Sequence, residues 1–282
     1  MAQLMLGKDV MNAMKEKMLK DVEELRKKNI IPGLAIVRLG SKPDDLAYEK
    51  GAVKRCEGVG ISCRVFEYPE NISQEELIEE LEKINAESSM HGILVFRPLP
   101  KHIDENVVKH AIKPEKDIDC FNPINIAKVF EGDDSGFAPC TPEAVMEMLD
   151  YYGIDVKGKR VTVIGRSMVV GKPLSMLLLK RHATVTVCHT RTLNLAETCR
   201  NAEILIAAAG KAKMVDDSFI SEGQVVIDVG INVDENGNLC GDVDFEKAEK
   251  IAKCITPVPG GVGTVTSSVL AKHVIRAAGA AG

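Results

Sequence analysis

Short apolar runs alternate with amphipathic helical stretches along this chain, and that alternation restricts it to mostly parallel sheets covered by helices. Val10, Met14, Leu19, Val22 and Leu25 recur between charged residues at helical steps, which predicts a helix over 7–28. A strand is expected at 33–37, then a polar loop at Gly40-Ser41-Lys42-Pro43 and a helix over 44–58 that stops at Gly58 and Gly60. A second strand is expected at 63–66. Ser73-Gln74-Glu75-Glu76 has the form of a capping box, in which the serine oxygen takes an amide and the glutamate reaches back. The third strand, 92–96, runs into Arg97-Pro98-Leu99-Pro100, where proline cannot continue a sheet.

Residues 110–142 are rich in Pro, Asp, Asn and Gly and read as long loops crossing between two domains. A helix is expected at 142–152, strands near 160–164, 184–188, 203–208, 224–229 and 253–256, and a last helix at 266–278. The fold class is therefore α/β, with two α/β domains. A length of 282 residues suits two domains, and 45% hydrophobic with 27% charged residues excludes disorder and coiled coil. The apolar runs stop far short of the ~20 residues that a membrane span needs, and no signal-peptide pattern is read at the N-terminus. A net charge of −5 argues against a nucleic-acid partner. The cysteines stand at 56, 63, 120, 140, 188, 199, 240 and 254, with no C-x-x-C pair and no clustered histidine. No metal site or disulfide framework is expected from them; they read as reduced thiols of a cytoplasmic enzyme.

The strongest local signal is the apolar strand Val161-Thr162-Val163-Ile164 entering Gly165-Arg166-Ser167-Met168-Val169-Val170-Gly171-Lys172-Pro173. Proline in a first helical turn wastes no hydrogen bond, and such a turn faces backbone amides toward a phosphate. The spacing is not G-x-G-x-x-G, so the loop by itself serves equally as an ordinary connection. The next strand ends in His189-Thr190-Arg191-Thr192. An NAD site places an acid there for the ribose hydroxyls. Here Arg191, the two threonines and nearby Arg166 suit a 2′-phosphate instead, which favours NADP. His189 alone is more often structural than catalytic. Gly210 and Gly230-Ile231-Asn232 come after two further strands, at the edge where open α/β sheets bind ligands.

Pro257-Val258-Pro259-Gly260-Gly261-Val262-Gly263 combines backbone-fixing prolines with glycines that permit close ligand approach. With Gly165-Arg166-Ser167, Pro98-Leu99-Pro100, Pro114-Glu115-Lys116-Asp117-Ile118-Asp119 and Pro139-Cys140-Thr141-Pro142, it resembles the bifunctional methylenetetrahydrofolate dehydrogenase/methenyltetrahydrofolate cyclohydrolase family over essentially the whole chain. The resemblance implies a folate-binding catalytic domain at 1–142, with the C-terminal helix 266–282 packing back on it. It implies a Rossmann-like NADP-binding domain at 143–265 and an active site in the cleft between them. It also implies a cytoplasmic homodimer associating through the nucleotide domain, without membrane, nucleic acid or metal.

By motif, Tyr48 takes the place of the tyrosine that stacks on the folate and Asp119 that of the aspartate that hydrogen-bonds the pterin; these are the expected catalytic pair. Leu99, Val258, Pro259, Gly260 and Gly261 would line the substrate, and Gly165, Arg166, Ser167, Thr190, Arg191, Ile231 and Thr266 the NADP. Five positions depart from the family pattern. Ala52 stands where a lysine of the cyclohydrolase step is usual, and Phe96 where its supporting glutamine is usual. Cys120 replaces the glycine after the aspartate, and Thr264-Val265 replaces Pro-Met. The departures leave hydride transfer to NADP as the expected activity, beside the full bifunctional enzyme or a folate- or nucleotide-binding protein without turnover.

Overall fold

A computed structural model describes residues 1–281. In chain order the elements are β1 (Gln3–Leu4), α1 (Gly7–Lys27), β2 (Gly33–Leu39), α2 (Pro43–Glu57), β3 (Ser62–Tyr68), α3 (Gln74–Ala86) and β4 (Gly92–Val95). Then come α4 (Glu105–Ala111), α5 (Pro123–Glu131), α6 (Cys140–Tyr151), β5 (Arg160–Ile164), α7 (Gly171–Lys180), β6 (Thr184–Cys188), α8 (Leu195–Arg200) and β7 (Ile204–Ala207). The last are β8 (Val225–Asp228), β9 (Asn232–Val233), β10 (Leu239–Cys240), α9 (Phe245–Ala248), β11 (Cys254–Ile255) and α10 (Val262–Ala281). They form two compact units.

One unit contains Ala13–Cys140 and the chain from Ser267 onward. Its sheet has three parallel strands in the order β3-β2-β4, with Ala35 of β2 opposite both Arg64 and Ile93. Flanked on both sides, β2 is buried along its whole length, whereas the edge strand β3 alternates exposed and half-buried residues. Leu77, Leu81 and Ile84 of α3 pack with Ala35, Val37, Ile93 and Val95 as one core. The capping box forms as the sequence predicts: Glu76 N donates to Ser73 Oγ at 3.2 Å, and Ser73 N donates to Glu76 Oε2 at 3.1 Å. On α1 the buried stripe is Val10, Met14, Met18, Val22 and Leu25, while Leu19 is exposed, so the apolar register falls on Met18 instead of Leu19.

The stretch expected to be long loops over 110–142 carries α5. Its polar residues mark helix ends: the Asn122 side chain accepts from Ile124 N at 2.8 Å, Pro123 opens the first turn, and Gly132 closes it in the left-handed conformation. A composition typical of loops thus concealed one helix with both of its stop signals.

The other unit contains Met1–Asn12 and Thr141–Thr266. Its six parallel strands run in the order β1-β11-β8-β7-β5-β6. Chain order reverses at β5, which has β6 on one side and β7 on the other, so this is a doubly wound sheet with a switch point beside β5. The expected first domain of 1–142 needs correction at its start. Gln3 and Leu4 pair in parallel with Cys254 and Ile255, which gives β11 the neighbour it would otherwise lack on that edge. The last helix begins at Val262 instead of 266, because Val262, Val265 and Val269 already form a buried helical stripe through the glycine-rich stretch.

Candidate active site

The first unit holds three of the expected substrate residues, Tyr48, Leu99 and Asp119, while Val258, Pro259, Gly260 and Gly261 lie on the second. Tyr48 and Ala52 stand one turn apart on α2, and Ala52 is buried. Phe96 comes directly after β4, its N–H bonded to Val37 O at 2.9 Å, and its ring lies 5.5 Å from that of Tyr48, tilted by 58°. The two departures from the cyclohydrolase pattern, Ala52 and Phe96, therefore present a methyl group and an aromatic ring beside Tyr48. Desolvation, helped by Cys140 and Asp119, pushes the Tyr48 phenol above its ordinary range, so this ring stays neutral. A buried ion pair fixes the helix that carries it. Arg38 Nε on β2 donates to Glu49 Oε2 at 2.7 Å, and Arg38 Nη2 lies 3.0 Å from Glu67 Oε2. A lone arginine in an otherwise apolar strand was the sequence signal for that support.

Asp119 sits in a loop held from below. Asp117 is buried and accepts from Phe121 N at 2.9 Å, Asn122 N at 2.8 Å and Asn125 Nδ2 at 2.8 Å. Asp119 Oδ1 accepts from Cys140 N at 2.9 Å, and Arg97 Nη2 reaches Asp119 Oδ2 at 3.4 Å. The Arg97 guanidinium lies over the Phe121 ring, 4.4 Å from its centroid. Cys120 has φ of +57°, a left-handed conformation that favours glycine, the residue usual there in the family. Leu99 packs into the core, and its N–H donates to Glu105 Oε1 at 3.0 Å.

In the second unit the predicted phosphate loop leaves β5 at Gly165, with φ of +123°. A Cβ there would stand 2.1 Å from Ala208 O, and one at Gly171 would stand 2.1 Å from Gly165 O, so both positions demand glycine. Ser167 Oγ accepts from Val170 N at 3.0 Å, and no side chain caps α7. Lys172 N already donates to Ser167 O at 3.0 Å and Pro173 has no N–H, so among the first three positions of α7 the Gly171 amide is the one left to meet a phosphate in the loop. Arg166, Ser167, Thr190 and Arg191 are exposed. His189 is engaged in the turn itself: its N–H donates to Thr192 Oγ1 at 2.9 Å, and its Nδ1 accepts from Arg191 N at 3.1 Å.

Ile231, Val258, Pro259, Gly260 and Gly261 line a pocket of about 190 Å³ with Asp228 and Thr264. Thr266 lies one turn into α10, its hydroxyl 3.4 Å from Val262 O. Beneath this pocket are two buried carboxylates that no sequence motif singles out. Asp228 accepts from Gly230 N, Asp242 N and Val243 N at 2.9–3.0 Å. Burial pushes its carboxyl up to about 7, against the pull of those three N–H groups. Asp242 accepts from Gly210 N at 3.0 Å, Lys211 N at 2.8 Å and Asn232 Nδ2 at 2.9 Å, tying the loops after β7 and β8 together. The adjoining glycines were the available sign: a Cβ at Gly241 would fall 1.8 Å from Asp228 Oδ2, and one at Gly230 would fall 2.3 Å from Asp242 Oδ1.

Known proteins match both parts of the chain. The family model for the tetrahydrofolate dehydrogenase/cyclohydrolase catalytic domain matches residues 5–119, and that for the NAD(P)-binding domain of the same family matches 139–281. A protein of Clostridium kluyveri named Bifunctional protein FolD is 58% identical over 98% of both chains. The crystal structure of the bifunctional FolD dehydrogenase/cyclohydrolase from Campylobacter jejuni superposes with a TM-score of 0.97 at 40% identity, over 99% of each chain. The Trypanosoma brucei methylenetetrahydrofolate dehydrogenase-cyclohydrolase, solved with NADP and an inhibitor, gives a TM-score of 0.93 at 38% identity, covering 99% of this chain and 98% of its own. With both halves matched in order by models of one family and relatives of high identity over nearly the whole chain, this chain belongs to the tetrahydrofolate dehydrogenase/cyclohydrolase family.

Proposed function

We propose that this protein is an NADP-dependent methylenetetrahydrofolate dehydrogenase. The observation that carries the reading is the cluster of Tyr48, Phe96, Arg97 and Asp119 on one unit, combined with a glycine-tight, uncapped helix start and exposed Arg166 and Arg191 on the other. Bound NADP supplies a hydride acceptor. Tyr48 and Phe96 offer aromatic surface to the pterin, Asp119 accepts hydrogen bonds from it, and Arg191 with Thr190 reads the 2′-phosphate. Loss of hydride from the methylene bridge leaves a delocalised methenyl cation and requires no proton abstraction. The side chains therefore have only to align donor and acceptor and exclude water. The reading includes a cytoplasmic homodimer formed through the nucleotide-binding unit. Among the described residues no helix is long and apolar enough to cross a membrane.

The test is an assay of purified protein with methylenetetrahydrofolate and NADP, following cofactor reduction together with formation and decay of the methenyl product. Reduction at enzymatic rates is expected, and background rates alone would overturn the reading. A second reading, hydrolysis of the methenyl product by the same protein, is favoured by the names of the relatives. Against it stand buried Ala52, which brings no amine, and Phe96, whose ring repels the water that hydrolysis needs. General-base catalysis typically contributes roughly 10²–10⁴-fold, so without such a group methenyl decay should stay near the buffer rate. The double change Ala52→Lys and Phe96→Gln should raise it, and either single change should raise it less, because the two groups act as a unit. Rapid decay with the unmodified protein would establish the bifunctional reading instead.

A further inference from the structure

We infer that Arg97 is a substrate-recognition residue that donates to the carbonyl oxygen of the pterin ring, beside the edge that Asp119 binds. The inference rests on the folate reading above and specifies how the ring is held.

A carboxylate only accepts hydrogen bonds, and a guanidinium only donates them. The pterin edge carries the 2-amino group and N3–H, both donors, and next to them the C4 carbonyl, an acceptor. Asp119 alone satisfies the donors and can do nothing for the carbonyl. Arg97 places a donor next along the line, its Nη2 3.4 Å from Asp119 Oδ2. That separation is long for a charge-assisted bond, which ordinarily closes to about 2.7–2.9 Å. The pair is adjacent without being locked, so both groups can turn toward a ligand. Asp119 Oδ1 is steadied by Cys140 N at 2.9 Å, and the Arg97 plane is steadied by the Phe121 ring at 4.4 Å. Of the five guanidinium N–H groups, only one has a protein acceptor among the described residues, although the side chain is about three-quarters buried. A side chain with that many idle donors, held flat by an aromatic ring beside the pterin-binding acid, is shaped to meet an acceptor from outside.

Charge points the same way. Oxidation creates a cation on the folate, which an unpaired arginine would repel. Paired with Asp119, Arg97 leaves that corner of the site with no net charge. A donor at the carbonyl also confers specificity. A ring carrying an amino group at C4 would set donor against donor, and sites built on buried polar complementarity reject such mismatches strongly.

The experiment is equilibrium binding, by titration calorimetry without NADP, of tetrahydrofolate and of its 4-amino counterpart to the wild type, Arg97→Leu and Arg97→Lys. The wild type should prefer the 4-oxo ring. Arg97→Leu should weaken tetrahydrofolate binding roughly tenfold to a hundredfold, the scale of one charged hydrogen bond, with little effect on the 4-amino ligand. Asp119 also discriminates, through N3–H, so the same comparison is made in an Asp119→Asn background, where a further fall in preference on adding Arg97→Leu belongs to Arg97 itself. Arg97→Lys keeps a donor, preserves the sign of the preference and carries the test if the leucine variant fails to fold. An unchanged preference would show that Arg97 does not reach the ring, and a fall that disappears in the Asp119→Asn background would show that it only orients Asp119; either result overturns the inference. Wild-type protein that binds no tetrahydrofolate would overturn the folate reading itself, and this inference with it.

Discussion

At the scale of single residues, the chemistry depends on side chains whose neighbours define them. Arg191 is an exposed loop arginine in the sequence and in the structure alike, and its assignment rests on the turn after β6: no acid, a backbone stapled by His189 and Thr192, and Thr190 beside it. Arg191→Ala should weaken NADP by about 1.5–3 kcal/mol, the contribution of a charge-assisted hydrogen bond, and NAD by much less. Paired titrations of the two cofactors check this, and equal losses would show that Arg191 does not read the 2′-phosphate. The two glycines of the phosphate loop were legible from motif, and the same motifs drew attention to Tyr48 and Asp119. Asp228 and Asp242 were not, because an acid that bonds backbone amides across two loops looks in sequence like any solvated acid.

Among the elements, those that formed as expected carry their own start and stop signals. The capping box of α3 is one, and both of its hydrogen bonds are present. Ser73→Ala should cost about 1 kcal/mol of stability, measured by denaturant unfolding, with activity unchanged because Ser73 lies outside the substrate cluster. The helix α5 shows the converse. Its Asn122, Pro123 and Gly132 are all helix-end signals, yet between them only Val129 and Asn125 are buried, so apolar periodicity was too weak to reveal it. The two-residue strands β1, β9, β10 and β11 are shorter than any period can register; only the 253–256 apolar run hinted at the last.

For the whole molecule, stability couples to pH through a buried acid. The carboxyl of Asp228 is raised from 3.8 to about 7, so between these values the folded protein holds a proton that the unfolded chain releases. Its contribution to stability is complete below about pH 4 and is lost as pH rises through 7, a ceiling of about 4 kcal/mol. Guanidinium unfolding of the wild type at pH 5 and pH 8 should show this loss, and Asp228→Asn should flatten it; parallel profiles would disprove the assignment. Alternation, capping and motif order were local properties, and the sequence by itself determined from them the α/β class and the resemblance to the family. Tertiary structure alone decided that Gln3 and Leu4 join the edge of a sheet whose partner strand lies some 250 residues later. It alone decided that Arg97 meets Asp119 and that Asp242 binds the loop after β7. Those pairings depend on register between distant segments, which no local period encodes; they exist only once the strands have stacked and the loops have been brought to a common edge.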